Sequence, residues 1–113
     1  MLLGELASHI LIDPRKLTDY ALAPEAPRGR HKALVFERVL GYTLDDWQHL
    51  LSQIEARAPA AEARPHNADR HGRRYTADLL ITGANGRQAI VRTGWILRPE
   101  EDVLRLVTLW IEE

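Results

Sequence analysis

Apolar residues recur along this chain with two different periods, and the change from one to the other divides it. The first half has helical spacing. Ala33, Phe36, Val39 and Leu40 follow the i, i+3, i+4 rule that lines one helix face, and Gly41 stands where a left-handed cap is wanted, so residues 30–40 are predicted helix. Leu44, Trp47, Leu50, Leu51, Ile54 and Ala58 make a second stripe of period 3.6. Thr43 supplies a hydroxyl cap for it, Asp45 and Asp46 meet the positive end of its dipole, and Pro59 bounds its far end. Asp13-Pro14 followed by Leu17, Tyr20 and Ala21 predicts a short helix over residues 14–21, ending before Pro24. Two prolines and a glycine make residues 23–29 a loop.

Beyond residue 73 the period falls to about two, as half-buried strands require. Tyr75, Ala77, Leu79 and Ile81 share one face of a strand over residues 74–81, and Gln88 to Leu97 reads as its partner. Between them Gly83-Ala84-Asn85-Gly86 turns the chain, with Asn85 and Gly86 both expected at positive φ. A third strand spans residues 103–111 after the polar turn 98–102; both of its alternating sets are largely apolar, so its core-facing side is undecided. Residues 59–72 have no apolar period and read as a mobile loop, and residues 1–11 as an N-terminal extension. The expected fold class is α+β: N-terminal helices packed on a C-terminal antiparallel β-meander of three or more strands, in one domain over residues 1–113.

Composition narrows the chemistry more than it defines it. A chain of 113 residues, 45% of them apolar, can bury a core without staples. The absence of cysteine removes thiolate nucleophiles, Cys-based zinc sites and disulfides together. No apolar run approaches the roughly 20 residues of a membrane span. Met1-Leu2-Leu3 lacks a basic flank and Glu5 and His9 interrupt the apolar stretch, so no signal peptide is expected and a cytoplasmic location is the default. Net charge is −1, which argues against a globally basic nucleic-acid binder, but the charge is unevenly placed. Residues 14–38 and 57–75 each carry net +3, and the segment from Pro99 onward carries net −4. This suits an anionic ligand on one side, and solvated surface charge gives the same pattern.

Three groups are candidates for chemistry. His31-Lys32, following Arg28-Gly29-Arg30 at a helix start, joins a titratable imidazole to a cationic group that backbone N–H groups would reinforce. The plain alternative is a solvated helix terminus. Arg92-Thr93, with Arg105 and Thr108 on the neighbouring strand, sets a rigid guanidinium fork where it could hold phosphate or carboxylate. A cross-strand ion pair, for instance with Asp78, is the competing reading, and adjacent strand residues face opposite ways, which favours Arg92 over Thr93 for chemistry. His66 and His71 flank an arginine-containing loop and read as proton-transfer candidates or as exposed loop histidines. Five histidines offer no metal-binding spacing, so neither metal nor cofactor is expected. Trp47 and Trp95 are expected in the core, and Trp110 is undecided between core and base stacking.

Lys16-Leu17-Thr18-Asp19-Tyr20-Ala21-Leu22, then Pro24, Gly29-Arg30-His31-Lys32-Ala33 with Phe36, and Leu40-Gly41-Tyr42-Thr43 resemble an uncharacterised bacterial domain family. Its ending is similar to Asn85-Gly86-Arg87, Val91-Arg92-Thr93-Gly94-Trp95-Ile96 and Arg105-Leu106-Val107-Thr108, so the resemblance spans about residues 12–111. Domains of this kind occur as stand-alone proteins and at the C-termini of polymorphic toxins, and their element order is similar to the barnase, colicin and RelE group of ribonuclease toxins. The resemblance implies a toxin-type domain with a cognate small antitoxin or immunity protein, and candidate positions Lys32, Arg92, Thr93 and Thr108. Metal-independent RNA cleavage by 2′-hydroxyl attack is the corresponding expectation. His31 would transfer a proton, Lys32 and Arg92 would stabilise charge, and Thr93 or Thr108 would position the phosphate. Arg30, His71, Arg74 and Arg105 are candidate substrate contacts. Such toxins are usually basic; this near-neutral chain either weakens the RNA assignment or confines its basic character to one cleft. Two other readings stand beside it: a non-catalytic module whose cationic groove receives an acidic partner, and an accessory protein that assembles through a sheet edge.

Overall fold

The computed structural model describes residues 1–113. Its strands are β1 (His9–Leu11), β2 (Arg64–Pro65), β3 (Arg73–Thr82), β4 (Gln88–Leu97) and β5 (Val103–Ile111), and its α-helices are α1 (Arg30–Leu40) and α2 (Trp47–Arg57). They form an α+β fold around a five-stranded sheet of order β1-β5-β4-β3-β2. β3, β4 and β5 are the expected antiparallel meander. β1 adds parallel to β5, from His9 opposite Val103 to Leu11 opposite Arg105, so the sheet is mixed. Residues 1–11, expected as an extension, are thus built into the fold, and Leu3 is fully buried. No helix is long and apolar enough to cross a membrane.

Packing follows the two periods. Phe36 and Leu40 of α1 and Leu50 and Ile54 of α2 are buried against one sheet face. That face carries Tyr75, Ala77, Leu79 and Ile81 of β3 and Val91, Thr93 and Trp95 of β4. Gly41 closes α1 at φ 69°, its N–H donating to the Glu37 carbonyl, while the Tyr42 N–H reaches Phe36. The hairpin differs from its expected form. Gly86 takes positive φ and Asn85 does not, because Asn85 is docked on the end of α1: its amide donates to the Val39 carbonyl and its N–H to that of Leu40.

A bulge settles the two-sided pattern of β5. Gly94 lies opposite Thr108 but Trp95 lies opposite Leu106, which leaves Val107 as the extra residue. The bulge lets Leu104, Leu106, Leu109 and Ile111 all reach the core, and turns Arg105, Thr108 and Trp110 onto the other face with Arg74, Thr76, Asp78, Arg92, Gly94 and Ile96. This open face is the polar one. The segment read as a mobile loop is tied down in part: Ala63 is buried with its N–H on the Met1 carbonyl, β2 pairs with β3, and Asp69 bridges Gly72.

Candidate functional site

The outer side of β5 has no strand partner beyond Arg105, and a π-helical turn (Leu17–Ala21) and α1 pack there instead. Gly29, just before α1, makes this possible. A Cβ on it would lie 2.0 Å from the Tyr20 carbonyl oxygen, so only glycine lets the two segments approach this closely. The approach brings Tyr20 and Lys32 together over β5.

Lys32 Nζ donates to Tyr20 Oη at 2.7 Å and to Thr108 Oγ1 at 3.0 Å. It also stands 4.7 Å from the Tyr20 ring centroid and 5.4 Å from that of Trp110, within cation–π range of both. The ammonium is half-buried and forms no salt bridge. Of its three protons two go to neutral hydroxyls, so the positive charge has no carboxylate to balance it. The same bond, with a second from Thr108, holds the Tyr20 phenol below its ordinary value against the opposing effect of burial. An anion placed here would meet an oriented cation, two hydroxyls and an aromatic wall.

Two hollows adjoin this cluster at Thr108, and a third meets both of them at Val107. One of about 510 Å³ lies between Lys16, Tyr20 and Thr108. One of about 240 Å³ lies over Gly94, between Thr76, His66 and Thr108. The third, of about 780 Å³, reaches along the open face past Arg74 and Arg105. Gly94 keeps the groove open, since a Cβ there would stand 3.1 Å from the Thr108 methyl. No group of three or more His, Asp or Glu side chains is placed to hold a metal ion.

The sequence and the fold have relatives. The chain belongs to the family described as Domain of unknown function (DUF6883). The match covers residues 2–113. No curated protein matches the sequence. Among solved structures, the fold is similar to a chain of a contact-dependent growth inhibition toxin–immunity protein complex from Klebsiella pneumoniae 342. The TM-score is 0.67 at 14% identity, over 89% of this chain and 98% of that one.

The expected site residues separate into three groups. Lys32 and Thr108 meet in the cluster. Arg92 faces the groove opposite Trp110, but it is bound by carboxylates: Asp78 at 2.8 and 3.2 Å and Glu112 at 3.3 Å. The ion-pair alternative therefore describes it. Thr93 lies on the core face, wholly buried, with its hydroxyl donating to the Ala77 carbonyl and accepting from Trp95 Nε1, so it is removed from the groove. His31 and Arg30 are exposed at the start of α1 and make no side-chain hydrogen bond. Arg74, Arg105 and His71 line the largest hollow; Arg105 is paired with Glu101, and Arg74 reaches Asp69 at 3.5 Å. His66 bonds Thr76 across the β2 edge. Trp110, undecided between core and base stacking in the sequence, lies in the cluster, and Tyr20 is the residue there that sequence reasoning missed. Tyr20 fits a helical stripe, and only the 12-residue and 76-residue separations closed by Lys32 reveal the company it keeps.

Proposed function

We propose that this domain is a toxin-type module that cleaves RNA without a metal ion, through attack of a ribose 2′-hydroxyl on the adjacent phosphate. The carrying observation is the half-buried Lys32 ammonium, held by Tyr20 and Thr108 with no carboxylate partner. Such a cation is suited to a non-bridging phosphate oxygen, whose charge grows in the phosphorane. Tyr20, its phenol pKa lowered by Lys32, takes the 2′-hydroxyl proton as phenolate while the new O–P bond forms; it returns that proton to the 5′-oxygen as the P–O bond breaks. Thr108 orients the phosphate, and Trp110 offers its face to a base. In this reading Tyr20 takes the role that sequence reasoning gave to His31. The fold likeness to a chain of a toxin–immunity complex supports the toxin-type reading and a cognate small immunity partner.

The test is incubation of total RNA with the purified protein in EDTA and identification of the product ends. Cleavage to 2′,3′-cyclic phosphates is expected, reduced roughly 100-fold or more in Lys32→Ala and in Tyr20→Phe, and retained in His31→Gln. A requirement for Mg²⁺, or full activity in Lys32→Ala, would overturn the reading. The binding-module alternative draws on the same unbalanced cation; intact RNA together with capture of an acidic partner through Lys32 would favour it.

A further inference from the structure

The largest hollow is not needed to hold one phosphate at Lys32, yet it opens from the same groove and is the most cationic part of the open face. Lys16, Arg74, Arg98 and Arg105 line it. Its acidic content is already engaged. Asp13 is bound by Arg15 at 2.7 Å, with its carboxyl pulled down to about 2 by those hydrogen bonds. Glu101 is divided between Arg105 at 3.0 Å and Arg98 at 3.9 Å. Lys16 forms no salt bridge at all, and Arg74 has only a 3.5 Å contact with Asp69. Four cations therefore face the hollow against two carboxylates, one taken by Arg15 and the other shared by Arg98 and Arg105.

Position gives this excess a direction. Arg105 stands opposite Ile96 and Thr108 opposite Gly94, so with Val107 bulged out they are two register steps apart, and a rise of about 3.3 Å per residue puts them roughly 7 Å apart. A single phosphate does not span that length, but a short run of nucleotides does. We infer that the hollow bounded by Lys16, Arg74, Arg98 and Arg105 is a second phosphate subsite, so that the groove takes a polynucleotide strand and not a mononucleotide. Lys16 and Arg98 are the defining residues, since neither carries a full ion pair of its own. This inference rests on the RNA reading above for the identity of the anion. The subsite itself depends on charge and spacing.

Binding and cleavage are measured separately. A 2′-O-methyl oligoribonucleotide of eight residues, which lacks the attacking hydroxyl, and its dinucleotide counterpart are titrated against the full chain and against Lys16→Gln/Arg98→Gln. The octamer is expected to lose about tenfold in affinity in the variant, and the dinucleotide much less. Its salt dependence should flatten by about 0.7 in log–log slope for each phosphate contact removed. Equal losses for both lengths, or none, would overturn the subsite even if Lys32→Ala abolishes cleavage of ordinary RNA. Length-dependent loss in a protein that cleaves no RNA would support the subsite and sink the catalytic reading instead. Both substitutions are at the surface, and an unchanged circular dichroism spectrum and melting temperature confirm that the variant is folded.

Discussion

Asp78 accepts from Arg92 at 2.8 and 3.2 Å and from Arg64 at 3.0 and 3.2 Å, and these guanidinium donors, Arg92 foremost, hold its carboxyl well below the usual aspartate range. The consequence for stability has a definite sign. Because the unfolded chain protonates this group first, its contribution is complete above an ordinary carboxylate pKa of about 4. It is lost as pH falls toward the depressed folded value. Denaturant unfolding between about pH 5 and pH 2 should therefore show a steeper acid loss in the native chain than in Asp78→Asn. Identical slopes would mean that the pair contributes nothing, and the half-exposed setting keeps the expected difference modest. The same residues show how far single positions can be read from sequence. A strand arginine opposite a strand aspartate was visible as a candidate pair, and so was its competing role as a phosphate clamp; register decides, because Asp78 stands directly across from Arg92. The family resemblance joins Lys32 to Thr108 among its candidate positions. Tyr20 was hidden, since nothing local distinguishes a tyrosine on a packed turn from one holding a lysine.

Between elements, length decides what sequence reveals. α1, α2 and the β3–β5 meander each repeat their period over nine residues or more, and all five are legible. β1 and β2 are three and two residues long, too short for a period, and they exist only because β5 and β3 offer edges to them. The bulge was likewise invisible. An extra residue in β5 leaves two apolar sets where one should stand out, and that is why the core side of this strand could not be chosen in advance. Its effect on the site is direct, because the bulge lies at Val107 and sets Thr108 opposite Gly94. Gly94→Ala tests this coupling. The added methyl presses on the Thr108 side chain at 3.1 Å and displaces the hydroxyl that Lys32 holds. The proposed cleavage should fall roughly tenfold or more, as small misplacements of positioning groups do. Stability should stay within about 1 kcal/mol, since the neighbouring group is a rotatable methyl. Unchanged cleavage would show that Thr108 does not position the phosphate; a parallel loss of stability would assign Gly94 to packing.

At the scale of the whole molecule, a net charge of −1 hides a division of labour. The two basic stretches seen in the sequence contribute Lys16 and Lys32 from one and Arg74 from the other, and folding brings them to the open face with Arg98 and Arg105. The acidic C-terminal stretch is spent on pairing: Glu112 binds Arg92, Glu113 binds Arg38 and Glu101 binds Arg105. Sequence totals could not show this, because neutralisation depends on which charges meet. A near-neutral chain with a basic groove should then respond to salt as its groove does and not as its net charge does. Counterion release gives a slope of about −0.7 in log affinity against log salt for each phosphate neutralised on a single strand. Two or three contacts from Lys32 and the neighbouring hollow correspond to a slope between roughly −1.4 and −2.1 for the uncleavable octamer. The Lys32→Ala variant should lose about one contact from that slope. A slope near zero would mean that the paired arginines behave as structural charge throughout, and that the open face binds no polyanion.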